Sequence, residues 1–222
     1  MRTQAQQRPT ISQLRQYLTA TVMRGARGLN PDEIKLMLCA FAGTYARRDR
    51  ALFLLAMKTG GRATQILALR IKDVFDGKRF VGCVRFARKT MKGRRRGHSL
   101  PLHPDAKRAL GRWLVELRQQ RGTLAPNAWL FSSRVGRKNL SYHRYWEIVK
   151  MTAKKAGISA AGVSTHSPRK TVAALIYKRY GIVRAGAVLG HFNLDGSVDV
   201  VATARYIPTE SEEDIRAALF SL

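Results

Sequence analysis

Thr165-His166-Ser167-Pro168-Arg169, followed by Val188-Leu189-Gly190-His191 and Ala204-Arg205-Tyr206, is the stretch on which the reading of this chain turns. Ser167 and Pro168 read as the N-cap and first position of a helix, which sets His166 and Arg169 at a helix start, where free backbone N–H groups and the macrodipole favour an anion. Upstream, Arg62 stands directly after the Gly60-Gly61 turn. Together these positions supply two permanent cations, two imidazoles and a phenol. That set suits attack by a tyrosine oxygen on a phosphodiester, in which charge builds on a phosphate while an oxygen nucleophile approaches. The His-x-x-Arg pair alone says little, because any two residues three apart on a helix can be neighbours; the combination carries the weight.

The composition points to the same kind of partner. Forty-one Lys and Arg stand against 14 Asp and Glu, a formal net charge of +27 over 222 residues, far more than solubility requires. Residues 77–194 hold 26 Lys or Arg and only Asp105, Glu116 and Glu147 as acids, whereas six acids face Arg205 and Arg216 from Asp195 onward. A basic body with an acidic end binds a polyanion and can offer its end to a neighbouring copy. At 45% hydrophobic content the chain builds a core without staples. Cys39 and Cys83 match no metal or redox spacing and read as small core residues of a reducing compartment. No apolar run approaches the ~20 residues of a membrane span, and the polar start, Met1 to Thr10, has no signal-peptide core, so a cytoplasmic location is expected.

Outward from the deciding stretch, the pattern predicts a mainly α fold with a small antiparallel β-sheet (α+β). Residues 1–27 form a basic arm with a short amphipathic helix (Ile11, Leu14, Leu18, Val22). Asn30, Pro31 and Glu33 supply an N-cap, a first-turn proline and a capping-box partner where the compact domain begins. Helices follow over 47–58 and 63–69, then a strand over 79–87 with Phe80, Val84 and Phe86 on one face. The return strand covers 98–102, and the turn between them carries Lys89, Lys92, Arg94, Arg95 and Arg96, too charged to be buried. Later helices span 104–121, 141–156, 168–180, 184–189 and 211–219. In the helix after Ser141, Trp146, Ile148 and Val149 face inward, which leaves its other face outward.

Thr59-Gly60-Gly61-Arg62 with Ile66-Leu67-Ala68-Leu69-Arg70, then Thr165 to Arg169, Val188 to His191 and Ala204 to Tyr206, taken in that order over roughly residues 29–208, resemble the catalytic domain of the tyrosine recombinase (phage integrase) family. The resemblance implies that fold, and a site-specific DNA recombinase that cuts and rejoins strands through a 3′-phosphotyrosyl intermediate. It implies that Arg62 and Arg169 clamp the scissile phosphate, a task suited to bidentate guanidinium groups. His166 becomes proton acceptor or phosphate ligand, His191 a second phosphate contact, and Tyr206 the nucleophile. The family protonates the leaving 5′ oxygen from a hairpin lysine, here Lys89, with Lys92 as the alternative. The helix after Ser141 would enter the major groove with Tyr142, His143 and Arg144, while Lys92, Arg94, Arg95 and Arg96 would hold phosphates. Tyr142 and Tyr145 on that helix, and Tyr177 and Tyr180 after Pro168, follow no Leu-Gly-His segment and fit the nucleophile role less well.

The resemblance divides the chain into the arm 1–27, a catalytic domain 28–209 and an acidic C-terminal helix 210–222 that would dock on a neighbour. Its partners would be double-stranded DNA and further copies of the chain, a homo-tetramer on paired sites, with accessory DNA-bending proteins possible and no membrane. No cofactor is expected: neither HExxH, paired cysteines, a carboxylate cluster nor a Walker A pattern occurs. Some positions depart from the family pattern. Thr64-Gln65 stand where Ser-Glu is usual, Pro168 where leucine is usual, and the turn after Lys89 is long. The fifteen-position interval from His191 to Tyr206 exceeds the common one, so 193–201 reads as an insertion that leaves open whether Tyr206 serves its own or a neighbouring site. A type IB topoisomerase and a non-catalytic regulatory DNA-binding protein of the same fold are the competing readings.

Overall fold

Asn30 starts the first helix as its residue types dictate. In the computed structural model its Oδ1 accepts from the Glu33 N–H at 2.8 Å and Glu33 Oε2 accepts from the Asn30 N–H at 3.0 Å, a complete capping box before α1 (Pro31–Ala40). The structure describes residues 25–87, 90, 97–133 and 138–208. The expected arm helix, the basic residues Lys89, Lys92, Arg94, Arg95 and Arg96, and the acidic segment 210–222 lie outside the described residues. Arg27, the last residue of the expected arm, pairs with Glu33 at 2.7 Å and donates to the Ala161 and Ser159 carbonyls.

α2 (Ala46–Thr59) is the central helix. Ala51 to Ala56 are all buried, as expected of a helix enclosed on every side, here packed against α3 (Ala63–Leu67), α4 (Pro104–Arg121) and α6 (Ser167–Leu189). It ends at Gly60, whose φ of +62° makes a left-handed C-cap. A Cβ there would lie 3.1 Å from both Val172 and Leu189 of α6, so glycine serves the turn's conformation and the close approach together. β1 (Cys83–Phe86) and β2 (His98–Pro101) pair antiparallel, Val84 opposite Leu100 and Phe86 opposite His98. The strand is shorter than the expected 79–87, because residues 75 and 80 form a separate bridge. The His98 Nε2–H donates to the Val188 carbonyl at 2.9 Å and ties this hairpin to the end of α6.

α4 buries Leu110, Trp113, Leu114 and Leu117, with the Trp113 indole N–H satisfied by the Leu130 carbonyl at 2.8 Å. α5 (Tyr142–Lys155) is capped by Ser141, whose hydroxyl accepts from the Arg144 N–H at 3.1 Å. α6 bends at non-helical Gly181, where the sequence suggested two helices, 168–180 and 184–189. α7 (Val200–Ala204) is capped by Asp199 and packs on α6.

Three expectations are corrected. Cys39 and Cys83 are exposed, not core residues. Val84 and Phe86 take the inward side of β1, which turns Cys83 outward by the two-residue alternation, and in α1 Met37 is buried while Cys39 faces solvent. Trp146 is 38% exposed: Tyr145, Ile148, Val149 and Thr152 form the buried stripe of α5, and a residue adjacent to Tyr145 is turned about 100° away. Ser167 is the first residue of α6, not its cap. Its Oγ accepts from the Ser164 N–H at 2.9 Å and closes the preceding turn, leaving His166 as N-cap with no capping bond from its side chain.

Candidate active site

The turn after α2, the start and end of α6, and the segment through α7 bring residues far apart in sequence to one place. Arg62 follows the Gly60-Gly61 turn and is fixed through its backbone: the N–H donates to Gln65 Oε1 at 2.7 Å. Gln65 is itself buried, so the neutral amide at this position does the holding. Arg62 Nη1 is buried and has no hydrogen-bond partner.

Arg169, 1% exposed, sits in the first turn of α6. Its Nη1 donates to the Gly60 carbonyl at 2.5 Å and its Nη2 to the Leu189 carbonyl at 2.8 Å and to His191 Nε2 at 2.9 Å. The same Gly60 that caps α2 therefore anchors this guanidinium, while its Nε is buried without a partner. Burial, and then the positive charge of Arg62, lower the Arg169 pKa to about 10, against the pull of the Tyr206 phenol. Two guanidinium groups that repel each other, each with an orphaned buried N–H, form a cationic recess suited to an anion.

His166 belongs to the same cluster. The residue is exposed to solvent at the edge of the cluster, and its imidazole is held below the usual 6.5 first by partial desolvation and then by the charges of Arg169, Arg62 and Lys170. It is accordingly neutral near pH 7 and able to accept a proton. His191 is 5% exposed, with Nε2 on Arg169 and Nδ1 3.1 Å from the Thr203 hydroxyl. The Tyr206 ring lies with its centroid 5.2 Å from that of His191, and the Arg169 guanidinium carbon is 5.0 Å from the same ring. Tyr206 is thus seated beside Arg169 and His191 of its own chain. The 193–201 stretch does not carry it away: the Asn193 N–H donates to the Ser197 carbonyl at 2.8 Å, Phe192 bridges Val198, and the chain returns into α7.

The other tyrosines are placed elsewhere. Tyr145, which the sequence set on an outward helix, is fully buried, and burial pushes its phenol pKa up. Tyr177 and Tyr180 lie on the middle of α6, Tyr180 exposed. Tyr142 is exposed at the start of α5, and its hydroxyl accepts from Thr165 Oγ1 at 2.9 Å, which couples α5 to the residue preceding His166. Next to it His143 and Arg144 face outward and share Glu147, at 3.2 Å and 2.9 Å. Trp146 stacks on His143 with Lys150 5.7 Å from its ring centroid, so the outward face of α5 presents cations and an aromatic surface. The sequence reading passed over Thr203. Its signal was a hydroxyl one helical turn before Tyr206.

The gathered site can bind a phosphate diester through two guanidinium groups, accept a proton at a neutral imidazole and present a phenol oxygen. Among the described residues no helix is long and apolar enough to cross a membrane.

A sequence profile described as the phage integrase family matches residues 27–198. No curated protein matches the sequence. Among solved structures, the chain is similar to XerH site-specific recombinase bound to difH substrate, with 22% identity and a TM-score of 0.64 over 86% of this chain and 53% of that one. It is similar to XerA recombinase, with 20% identity and a TM-score of 0.65 over 98% and 66%. The Tn1549 transposon integrase in complex with transposon right end DNA gives 16% identity and a TM-score of 0.64 over 88% and 65%. The chain therefore spans about half to two thirds of the length of these structures.

Proposed function

Because this chain belongs to the phage integrase family, we propose that it is a site-specific tyrosine recombinase that cuts and rejoins DNA strands through a 3′-phosphotyrosyl intermediate. Tyr206 Oη attacks the scissile phosphorus and its proton passes to His166. Arg62 and Arg169 neutralise the charge growing on the non-bridging oxygens. The bond to the 5′ oxygen breaks, and Lys89 protonates that oxygen, with Lys92 the alternative donor. Attack by another strand's 5′ hydroxyl reverses these steps, and since the phosphotyrosyl bond conserves the energy of the broken diester, no ATP enters; the two arginines supply the charge stabilisation that a metal gives in other phosphoryl transfers. The helix α5 reads bases with Tyr142, His143 and Arg144, the basic residues Arg94, Arg95 and Arg96 hold the DNA backbone, and a homo-tetramer on paired sites exchanges the strands in the cytoplasm.

One observation carries this reading: orphaned buried N–H groups on Arg62 and Arg169 in a cluster where the Tyr206 ring already rests against the second arginine. A duplex nicked just beyond the scissile bond tests it, because the short leaving fragment diffuses away and traps the adduct. Wild type should become covalently attached to the 3′ side, and Tyr206→Phe should bind the same duplex with no adduct. No trapping by wild type on any sequence drawn from a random library leaves the non-catalytic DNA binder. Trapping with relaxation of supercoils but no joining between two duplexes leaves the topoisomerase.

A further inference from the structure

One aromatic side chain on the outer side of α5 is held in place with its polar atom unused. His143, Trp146, Lys150 and Lys154 recur at spacings of three and four and so lie along one stripe of the helix. The Trp146 ring is braced from both directions. One turn before it the His143 imidazole stacks on it, centroids 5.9 Å apart and planes 20° apart. One turn after it the Lys150 ammonium stands 5.7 Å from its centroid and is itself anchored, donating to the Ala160 carbonyl at 2.6 Å. Among the described residues nothing accepts from the Trp146 indole N–H. The other two tryptophans are engaged: Trp113 donates to the Leu130 carbonyl, and Trp129 lies under the Arg70 guanidinium, 3.1 Å from its centroid. Glu147, the acid on this side of α5, is already shared by His143 and Arg144, which leaves the surroundings of Trp146 cationic.

We infer that Trp146 is a specificity-determining residue that reads a thymine in the major groove, its indole N–H donating to O4 and its ring edge packing on the C5 methyl. The inference rests on the recombinase reading, which sets this side of α5 against double-stranded DNA. An indole places one donor directly beside an apolar edge. Of the four base edges in the major groove, thymine alone sets an acceptor beside a methyl group. Guanine offers two acceptors and no methyl, adenine an acceptor beside a donor, and cytosine a donor that would oppose the indole N–H. Bracing by His143 and Lys150 means that the ring has little freedom left to lose on binding. Arg144 and Lys154, on the same exposed side, supply charge for the flanking phosphates, which fix position and carry no sequence information. Trp146 therefore adds to Tyr142, His143 and Arg144 a reader of a different base.

Duplexes that wild type enriches from a random library supply the site, and binding to intact duplexes is then measured with each thymine replaced in turn. At one thymine, uracil, which lacks only the methyl, should weaken binding by about threefold to tenfold. At the same position 5-methylcytosine, which keeps the methyl and turns a donor toward the indole N–H, should weaken it by about tenfold or more. Trp146→Phe should keep the uracil penalty and lose most of the other, and Trp146→Ala should lose both. Trp146 is outside the core, so these variants leave its packing in place. An alanine variant that keeps either penalty overturns the inference, as does a wild type that enriches no sequence or is indifferent to uracil at every thymine. Binding alone decides the matter: if the nicked duplex traps no protein while the thymine sensitivity is present, the recombinase reading fails and the base reading stands.

Discussion

Arg169 donates to Gly60, Leu189 and His191 and still keeps an unpaired Nε, so most of its donors serve to aim the remainder. Lysine has no fork with which to copy this, and Arg169→Lys should lower the trapping rate by about a hundredfold or more in single-turnover assays. It should also cost roughly 1–3 kcal/mol in chemical denaturation, since buried carbonyls lose their partners. For His166 the folded pKa lies below the ordinary 6.5. As pH falls from that value toward the folded pKa, the unfolded chain takes up a proton that the folded one refuses, so stability falls with pH in that window and is fully present above it. An NMR titration of the His166 ring should show the lowered midpoint in wild type, and Arg62→Ala should move it upward. Lys89→Ala should stall cleavage of ordinary DNA and spare a 5′-phosphorothiolate substrate, whose leaving group needs no acid; equal loss on both would remove Lys89 from the proton-donor role. The side chains gathered around Arg169 were legible because each sits in a short local pattern. Thr203 was not, because its contact with His191 crosses a turn that no periodicity encodes.

Among the elements, helices were readable where a cap opens a long amphipathic run, as at Asn30 and Ser141, where side-chain oxygens meet free N–H groups, whereas the five-residue α7 was missed although Asp199 caps it. They were misread where a hydroxyl had two uses: Ser167 closes the turn before α6 instead of capping it. Trp146 was misplaced for a related reason, since hydrophobic size suggested burial while the 3.6-residue period assigned the inner stripe to Tyr145 and Ile148. The corrected helix has a wider outward face, which on the proposed reading is the one that meets DNA. Arg144→Ala should cost about 1–3 kcal/mol at one base pair and little elsewhere, read from binding to a substitution series of sites. Arg95→Ala should weaken all sequences alike and lower the salt slope by about one. Because Glu147 holds both Arg144 and His143, Glu147→Gln should raise affinity for random DNA more than for the cognate site.

For the whole molecule, the reversal of charge after residue 194 was plain in the sequence, and what the acidic end touches was not, because a docking partner leaves no periodic trace within one chain. If the segment 210–222 docks on a neighbouring protomer, its deletion should reduce tetrameric synapsis in native gels while binding to a single site persists. The order of the helices around α2 followed from local patterns, whereas the meeting of Arg62 with Arg169 depends on the Gly60 turn accepting the flank of α6. The seating of the Tyr206 ring beside Arg169 of its own chain has a kinetic corollary. On the proposed mechanism a lone protomer on an isolated half-site would hold nucleophile and clamp together, so adduct yield should grow linearly with occupancy and show no second-order dependence on protein concentration. Mixing a Tyr206→Phe chain with an Arg169→Ala chain should then leave both inert, since neither can lend the other its missing half.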